Sequence, residues 1–368
     1  MSFLAAVICL LLRQKIGNMT INDTYGKYEI VFSRSASDLR VSDAGTSAVP
    51  VSVMVDTEEV AAFSVMPYNK EIVLNLSGIL ESCAAGNLPG LSSAYIVRSI
   101  KITVGGQKWE HLVLFGVKPA KLSVDKYDIL TRRPARVMTF RDSVEYVSLK
   151  WEFYSAPGTG SELLAEVYFM THPPVKVTLP GPALLTSHTG MARIDCSFAV
   201  VSAAAASAGY GDEVILGWKV WARDVKLSTS GPAVETLGAP QEFYLLPSRR
   251  HCSYLFRNCY GFFDTIHATG PKSLTSDGEV STFINGGLES ELDNSARLYF
   301  EQGTGYIATK GEASFWMDFM RSSERYVIEN GTAKKIIIDE GDAKTTIEEL
   351  SSFKFKWHYA DRNNDYNI

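Results

Sequence analysis

The chain has 368 residues, a formal net charge of −5, 46% hydrophobic residues and 21% charged ones. That composition excludes a disordered polymer and leaves room for two or three domains with cores of their own. The acidic balance excludes a general electrostatic attraction to nucleic acid, and basic pairs such as Arg132-Arg133 and Arg249-Arg250 read as ordinary loop charges.

Residues 3–12, FLAAVICLLL, make up half a membrane span. Their positive flank, Arg13 and Lys15, follows the run instead of preceding it, and no small-residue cleavage pattern comes after. Residues 1–18 therefore read as a start-site extension ahead of Met19, with a short apolar anchor as the alternative; on the first reading the mature protein has no membrane segment. Period-two alternation then predicts strands over Tyr28–Phe32, Val49–Val55, Glu71–Leu76, Ala94–Val104 and Glu110–Val117. The turns SDAGTSA, NLPG and VGGQ separate them, and Gly78–Ala85 reads as a short helix. Residues 19–118 form an N-terminal β domain on this reading.

Residues 119–240 continue as a middle β-sandwich, with strands at Arg136–Phe140, Glu145–Tyr154 and Leu163–Met170. Met191–Ala199 and Glu213–Ala222 read as a strand pair joined by the flexible segment SAAAASAGYGD, in which SAAAAS reads as a loop or one helical turn. The four prolines of HPPVKVTLPGPA place that stretch at an edge or crossover. Trp151, Trp218 and Trp221 are the expected core.

The last domain spans residues 241–368. SYLFRNCYGFFDTIHATG reads as a hairpin with NCYG as its turn and with Phe256, Phe262 and Phe263 in or near its packed side. Ala296–Gln302 is a further strand. Thr309 with Glu312 forms a capping box, and the pairs Phe315/Phe319 and Trp316/Met320 make one apolar stripe, which predicts a helix over about 309–323. Asn330-Gly331 marks a type I′ hairpin turn. In the terminal strand Phe353, Phe355, Trp357 and Tyr359 share one parity and supply a floor for that helix, while Lys354, Lys356 and His358 face water or a partner. The lysines there also read as protection of a sheet edge. The fold class is mainly β: multi-domain β-sandwiches with a C-terminal β domain carrying one amphipathic helix.

Chemistry is sparse. Cys9, Cys83, Cys196, Cys252 and Cys259 contain no CxxC and read as free thiols, Cys252 and Cys259 being the one pair that a hairpin turn brings near each other. The six histidines show neither i,i+4 nor HxH spacing. GTGYIATK lacks the residues of a phosphate loop, and Ser123 to Lys126 matches SxxK without its companion motifs. Asp361, Asn363, Asp365 and Asn367 alternate like a calcium loop but lack its glycine and its glutamate, which leaves a polar frayed terminus. Glu289, Glu291 and Asp293 read as a solvated loop. No residue is assigned a catalytic, cofactor-binding or metal-binding role, no cofactor is implied, and no enzymatic activity is expected.

The run YLFRNCYGFFDTIHATG, the polar excursion after it, the helix GEASFWMDFMRSS, the hairpin RYVIENGTAKKIIID and the ending FKFKWHYADRN resemble the C-terminal region of uncharacterised phage and prophage proteins of Bacteroidetes that lie among tail and other virion genes. Their order is also similar to the β-plus-helix unit of tail-tube and distal-tail proteins. The resemblance covers about Pro247 to Asn364. It implies a structural protein of a viral tail, at the tail tip or baseplate, assembled in the bacterial cytoplasm and carried in the virion. Its partners are further copies of itself and other tail proteins, with no nucleic acid. By the same analogy the long segment Gly270–Asn294, read as a loosely packed loop, reaches an adjacent subunit. The alternative is a carbohydrate- or receptor-binding β-sandwich protein, for which exposed tryptophan or tyrosine beside a concave sheet face is the signature. An enzyme with a site built from distant residues requires a deep pocket with convergent carboxylates.

Overall fold

The computed structural model describes residues 19–25, 29–84, 97–118, 129–152, 160–181, 189–226, 234–247, 251–277, 280–285, 288–294, 297–342 and 352–361. The N-terminal extension, Ser123 with Lys126, Arg249-Arg250 and residues 362–368 lie outside them. The chain is mainly β and divides into two compact units, residues 1–123 and 124–368.

The first unit contains β1 (Thr20–Asn22), β2 (Ile30–Phe32), β3 (Leu39–Ser42), β4 (Val49–Val55), β5 (Glu58–Val65), β6 (Ile72–Leu74), α1 (Leu76–Ala84), β7 (Arg98–Val104) and β8 (Gln107–Leu114). A three-stranded sheet, β1-β3-β6, and a five-stranded sheet, β2-β8-β7-β4-β5, share one core. Alternation explains it: Val51, Val53 and Val55 of β4 point inward with Ile100, Ile102 and Trp109, and Leu80 of α1 joins them. The strand β5 has no such pattern. Its residues Glu58 to Ser64 are all exposed, and pairing with β4 alone holds it as an edge.

In the second unit the chain runs through β9 (Arg136–Thr139), β10 (Tyr146–Glu152), β11 (Gly160–Phe169), β12 (Val175–Leu179), β13 (Thr189–Asp195), α2 (Phe198–Ala205), β14 (Ile215–Lys226), β15 (Val234–Leu237) and β16 (Gln241–Leu245). Strands β12-β11-β14-β16-β9 form one sheet with β15 added to β14, and β10-β13 form a ribbon that shares its core. Leu163, Val167, Trp218 and Phe243 face Val147, Leu149 and Ile194 there. The proline-rich stretch provides β12, an edge strand. Two expectations are corrected. β13 pairs with β10 and β14 with β11 and β16, so the two are not partners. The link between them is not a flexible segment: it is α2 followed by a π-helical turn over Ala206–Tyr210. Alanine-rich sequence favours helix, and Val201 and Ala205, four apart, are both buried in the core. Trp218 lies in this core and Trp221 is buried beneath Lys176 and Lys219 on the sheet's other side; the Trp151 side chain is outside the description.

The same unit continues with β17 (Cys252–Arg257), β18 (Phe263–Ala268), β19 (Lys272–Asp277), β20 (Val280–Asn285), β21 (Leu288–Asn294), β22 (Arg297–Gly303), α3 (Lys310–Arg321), β23 (Arg325–Glu329), β24 (Thr332–Asp342) and β25 (Lys354–Tyr359). Seven strands form a sheet in the order β18-β17-β23-β24-β25-β22-β19. The capping box starts α3, with the Glu312 amide donating to Thr309 Oγ1 at 3.1 Å and the Thr309 amide donating back to Glu312 Oε2 at 3.3 Å. Phe315, Trp316 and Phe319 are buried, and the Phe319 and Trp316 rings lie 5.4 and 6.0 Å from Phe355. Phe353, Phe355, Trp357 and Tyr359 are each at most 2% exposed, so the aromatic floor under the helix is real. Met320 presses on Gly341, where a Cβ would meet its Cε at 1.8 Å. Asn330 and Gly331 both have positive φ, as a type I′ turn demands.

The opposite parity of β25 departs from expectation. His358 is only 4% exposed: its Nδ1 lies 2.6 Å from Asp339 Oδ2 and its ring meets Tyr299 edge-on. Lys356 lays its ammonium over Tyr299. The strand sits between β24 and β22, so its lysines guard no edge. Nor is Gly270–Asn294 a loose loop. It carries β19, which pairs with β22, and the hairpin β20–β21, which pairs with no third strand among the described residues. Glu289, Glu291 and Asp293 lie on β21, not on a loop.

Candidate functional site

Unit two brings together ionisable groups that the sequence keeps far apart. The segment before β9 supplies Thr131 and Arg133, the segment before β10 supplies Glu145, and the β17–β18 hairpin supplies Ser253, Asn258, Asp264 and His267. Arg133, read as a loop charge, is buried. Its Nη1 donates to Glu145 Oε2 at 3.0 Å and its Nη2 to the Thr265 carbonyl at 3.2 Å, with Asp264 Oδ1 at 3.8 Å. Arg132 does reach the surface, where it donates to Asp318 Oδ1 at 2.8 Å.

Glu145 is the hub. Its Oε1 accepts from Thr139 Oγ1 at 2.8 Å and lies 2.6 Å from His267 Nε2. Burial pushes its carboxyl up, but the charges of Arg133 and His267, with hydrogen bonds from His267 and Thr139, outweigh burial and hold it below the usual carboxylate range. At Asp264 burial wins over Arg133 and over hydrogen bonds from Asn258 and Thr131, so this carboxyl is raised. Two buried acids, 3.0 and 3.8 Å from one arginine, are thus driven in opposite directions. Charge explains part of the difference: Arg133 and His267 both favour the Glu145 carboxylate, whereas Asp264 has Arg133 only at 3.8 Å and is opposed by the charge of Glu145.

His267 Nδ1 lies 2.9 Å from Ser253 Oγ, its direct neighbour across the hairpin. Serine, histidine and glutamate in series resemble a nucleophile relay. The surroundings argue for a clamp instead. Ser253 sits on β17, paired on both sides by β18 and β23, and is 5% exposed. A pocket opens beside Glu145 and His267, bounded by Val137, Met138, Phe140, Thr265, Phe315 and Trp316, with about 70 Å³ open to water, but Ser253 does not line it. His251 stacks on the wall residue Phe140 at 3.8 Å and lies 3.5 Å from Asp142.

This cluster was invisible to motif reading because its members are separated by 12 residues between Arg133 and Glu145 and by 122 between Glu145 and His267. One fragment was nearly within reach: a hairpin turning at NCYG sets Ser253 opposite Ile266, and the loop, one residue longer than that turn, moves its partner to His267. Two of the features singled out in sequence touch the cluster: Cys196 Sγ lies 3.5 Å from the Glu145 carbonyl, and Thr304 and Tyr306 of GTGYIATK line the pocket beside it. GTGYIATK forms the end of β22 and the turn into α3, and Cys83, Cys196, Cys252 and Cys259 are free thiols. Among the described residues no group of three or more potential metal ligands converges, and no helix is long and apolar enough to cross a membrane.

No family model and no curated protein matches the chain. Among solved structures, a Ca2+-stabilised ice-binding adhesin of an Antarctic bacterium aligns over 80% of this chain and 70% of its own, at 9% identity and a TM-score of 0.17. The full extracellular region of plexin A4 aligns over 95% of this chain and 37% of its own, at 8% identity and a TM-score of 0.19. Similarity at that level carries no argument about fold or function.

Proposed function

We propose that the chain is a structural, non-catalytic protein of a phage or prophage tail that works by self-association and by docking neighbouring tail proteins. The observation that carries this reading is the β20–β21 hairpin. An isolated two-stranded hairpin is marginal in water, and this one has no third strand among the described residues, while Ile284 on it is 76% exposed. Its six-residue strand β20 spans about 20 Å at the usual rise per residue. An arm of that kind gains its missing partner from another chain by strand addition. The C-terminal resemblance to tail proteins supplies the setting: the tail tip or baseplate of a virion. Among the described side chains the tryptophans offer no sugar-binding platform, since Trp109, Trp218, Trp221, Trp316 and Trp357 are each at most 5% exposed, while Tyr68, Tyr244 and Tyr306 are exposed.

The test removes the arm. Residues 280–294 are replaced by a short Gly-Ser linker, and melting and sedimentation are compared with the intact protein. The variant is expected to melt like the parent and to lose higher assemblies. A variant that assembles as before takes the arm out of the interface, and one that unfolds places the arm in the core.

A further inference from the structure

The pocket beside the polar cluster has a chemistry that the clamp does not use. We propose that it binds a primary ammonium group with a short apolar stem, presented by a free small amine or by a lysine side chain of another chain. This goes beyond the assembly reading and does not depend on it.

The walls come first. Val137, Met138, Phe140, Ile266, Phe315 and Trp316 make an apolar, aromatic lining that suits a hydrocarbon stem, and ring faces attract a cation. The charge of the lining points the same way. Glu145 and Glu312 are its carboxylates, and no lysine or arginine lines it. His267, the remaining basic side chain on the wall, is engaged through both ring nitrogens, by Glu145 and by Ser253.

The independent sign is Thr265. It is 3% exposed and lines the pocket, yet its Oγ1 has no hydrogen-bond partner. A buried hydroxyl is ordinarily satisfied, and one left without a partner on a pocket wall marks the place of a ligand donor or acceptor. Glu145 has capacity as well. Its Oε1 takes Thr139 and His267, whereas Oε2 takes Arg133 alone, which leaves one acceptor position free. A hydroxyl oxygen and a carboxylate oxygen suit the three donors of an ammonium group and do not suit a carboxylate or phosphate.

Benzylammonium and its neutral analogue benzyl alcohol are titrated calorimetrically into the full-length protein and into the variants Thr265→Val and Glu312→Gln. A short lysine peptide and its acetyl-lysine form are titrated in parallel. Because the Thr265 hydroxyl has no internal partner, T265V is expected to fold and melt like the parent. Benzylammonium is expected to bind about 10-fold more tightly than the alcohol, and each substitution to weaken it about 10-fold, the scale of one hydrogen bond to a charged group. Binding of the lysine peptide, lost on acetylation, assigns the site to a partner's lysine, whereas binding of the free amine alone assigns it to a small amine. Equal binding of amine and alcohol, or amine binding indifferent to both substitutions, overturns the proposal, as does failure of every probe at millimolar concentration.

Discussion

α3 meets its sheet through rings, whereas the segments before β9 and β10 meet the β17–β18 hairpin through charges, and the two junctions respond to damage differently. At the first, Trp316 and Phe319 lie on Phe355, with Tyr254 and Trp357 behind. Every contact there is local and graded, so a lost side chain costs in proportion to its volume. At the second, Arg133, Glu145, Asp264 and His267 are buried and held by ion pairs to one another. Removing one member strands the rest, while replacing a pair by apolar groups of similar shape costs little. The ring junction stores stability, and the charged junction fixes which strand faces which.

The largest effect that separates them is expected at Arg133. Arg133→Met leaves Glu145 buried without its arginine and is expected to lower stability by about 3–5 kcal/mol in denaturant melts. Adding Glu145→Leu to the same chain is expected to restore much of that loss. Trp357→Ala at the ring junction is expected to cost a similar amount, about 3–5 kcal/mol as a cavity, with no second substitution that rescues it. Rescue at both junctions, or at neither, erases the distinction.

The pH dependence sharpens it next. The folded Glu145 carboxyl is held below its ordinary value of 4.5, so its contribution to stability is fully present above that pH and is lost as pH falls through the depressed folded value. Asp264 has the opposite sign: raised by burial, it favours folding below its ordinary 3.8 and loses that contribution as pH rises through its raised value. Melting followed across the acid range is therefore expected to show a shallower acid limb in Glu145→Gln, and unchanged or higher stability near neutrality in Asp264→Asn. Trp357→Ala is expected to lower the curve without changing its shape.

The smallest effects lie on the second face of β25. His358→Ala removes a hydrogen bond to Asp339 and is expected to cost about 1 kcal/mol. Lys356→Ala loses a half-exposed contact with Tyr299 and is expected to cost about 0.5 kcal/mol. Equal losses at Trp357 and Lys356 in denaturant melts contradict the placement of the ring face.

These differences also decide what could be read from sequence. Alternation in β4 and β25, the capping box of α3 and the Asn330-Gly331 turn are local signals, and each marks its element within a residue or two. β5 escaped because an edge strand exposed on both faces has no period to detect. α2 escaped because an alanine run looks alike as loop and as helix until Val201 and Ala205 find a core. His358 was misplaced because parity alone does not know that Asp339 and Tyr299 cover that face. The charged junction was the least legible of all. Its geometry depends on long-range register, and nothing near Arg133 in the sequence distinguishes it from its exposed neighbour Arg132.

The central claim, assembly through the β20–β21 arm, is tested most directly by sedimentation velocity of the intact chain over a wide concentration range, beside Ile284→Asp. Since Ile284 is 76% exposed, the substitution is expected to leave melting unchanged. The parent is expected to associate as concentration rises, and the variant to need about 10-fold more protein for the same association, a loss of about 1.4 kcal/mol. A parent that remains a monomer throughout, or a variant that associates as the parent does, contradicts it.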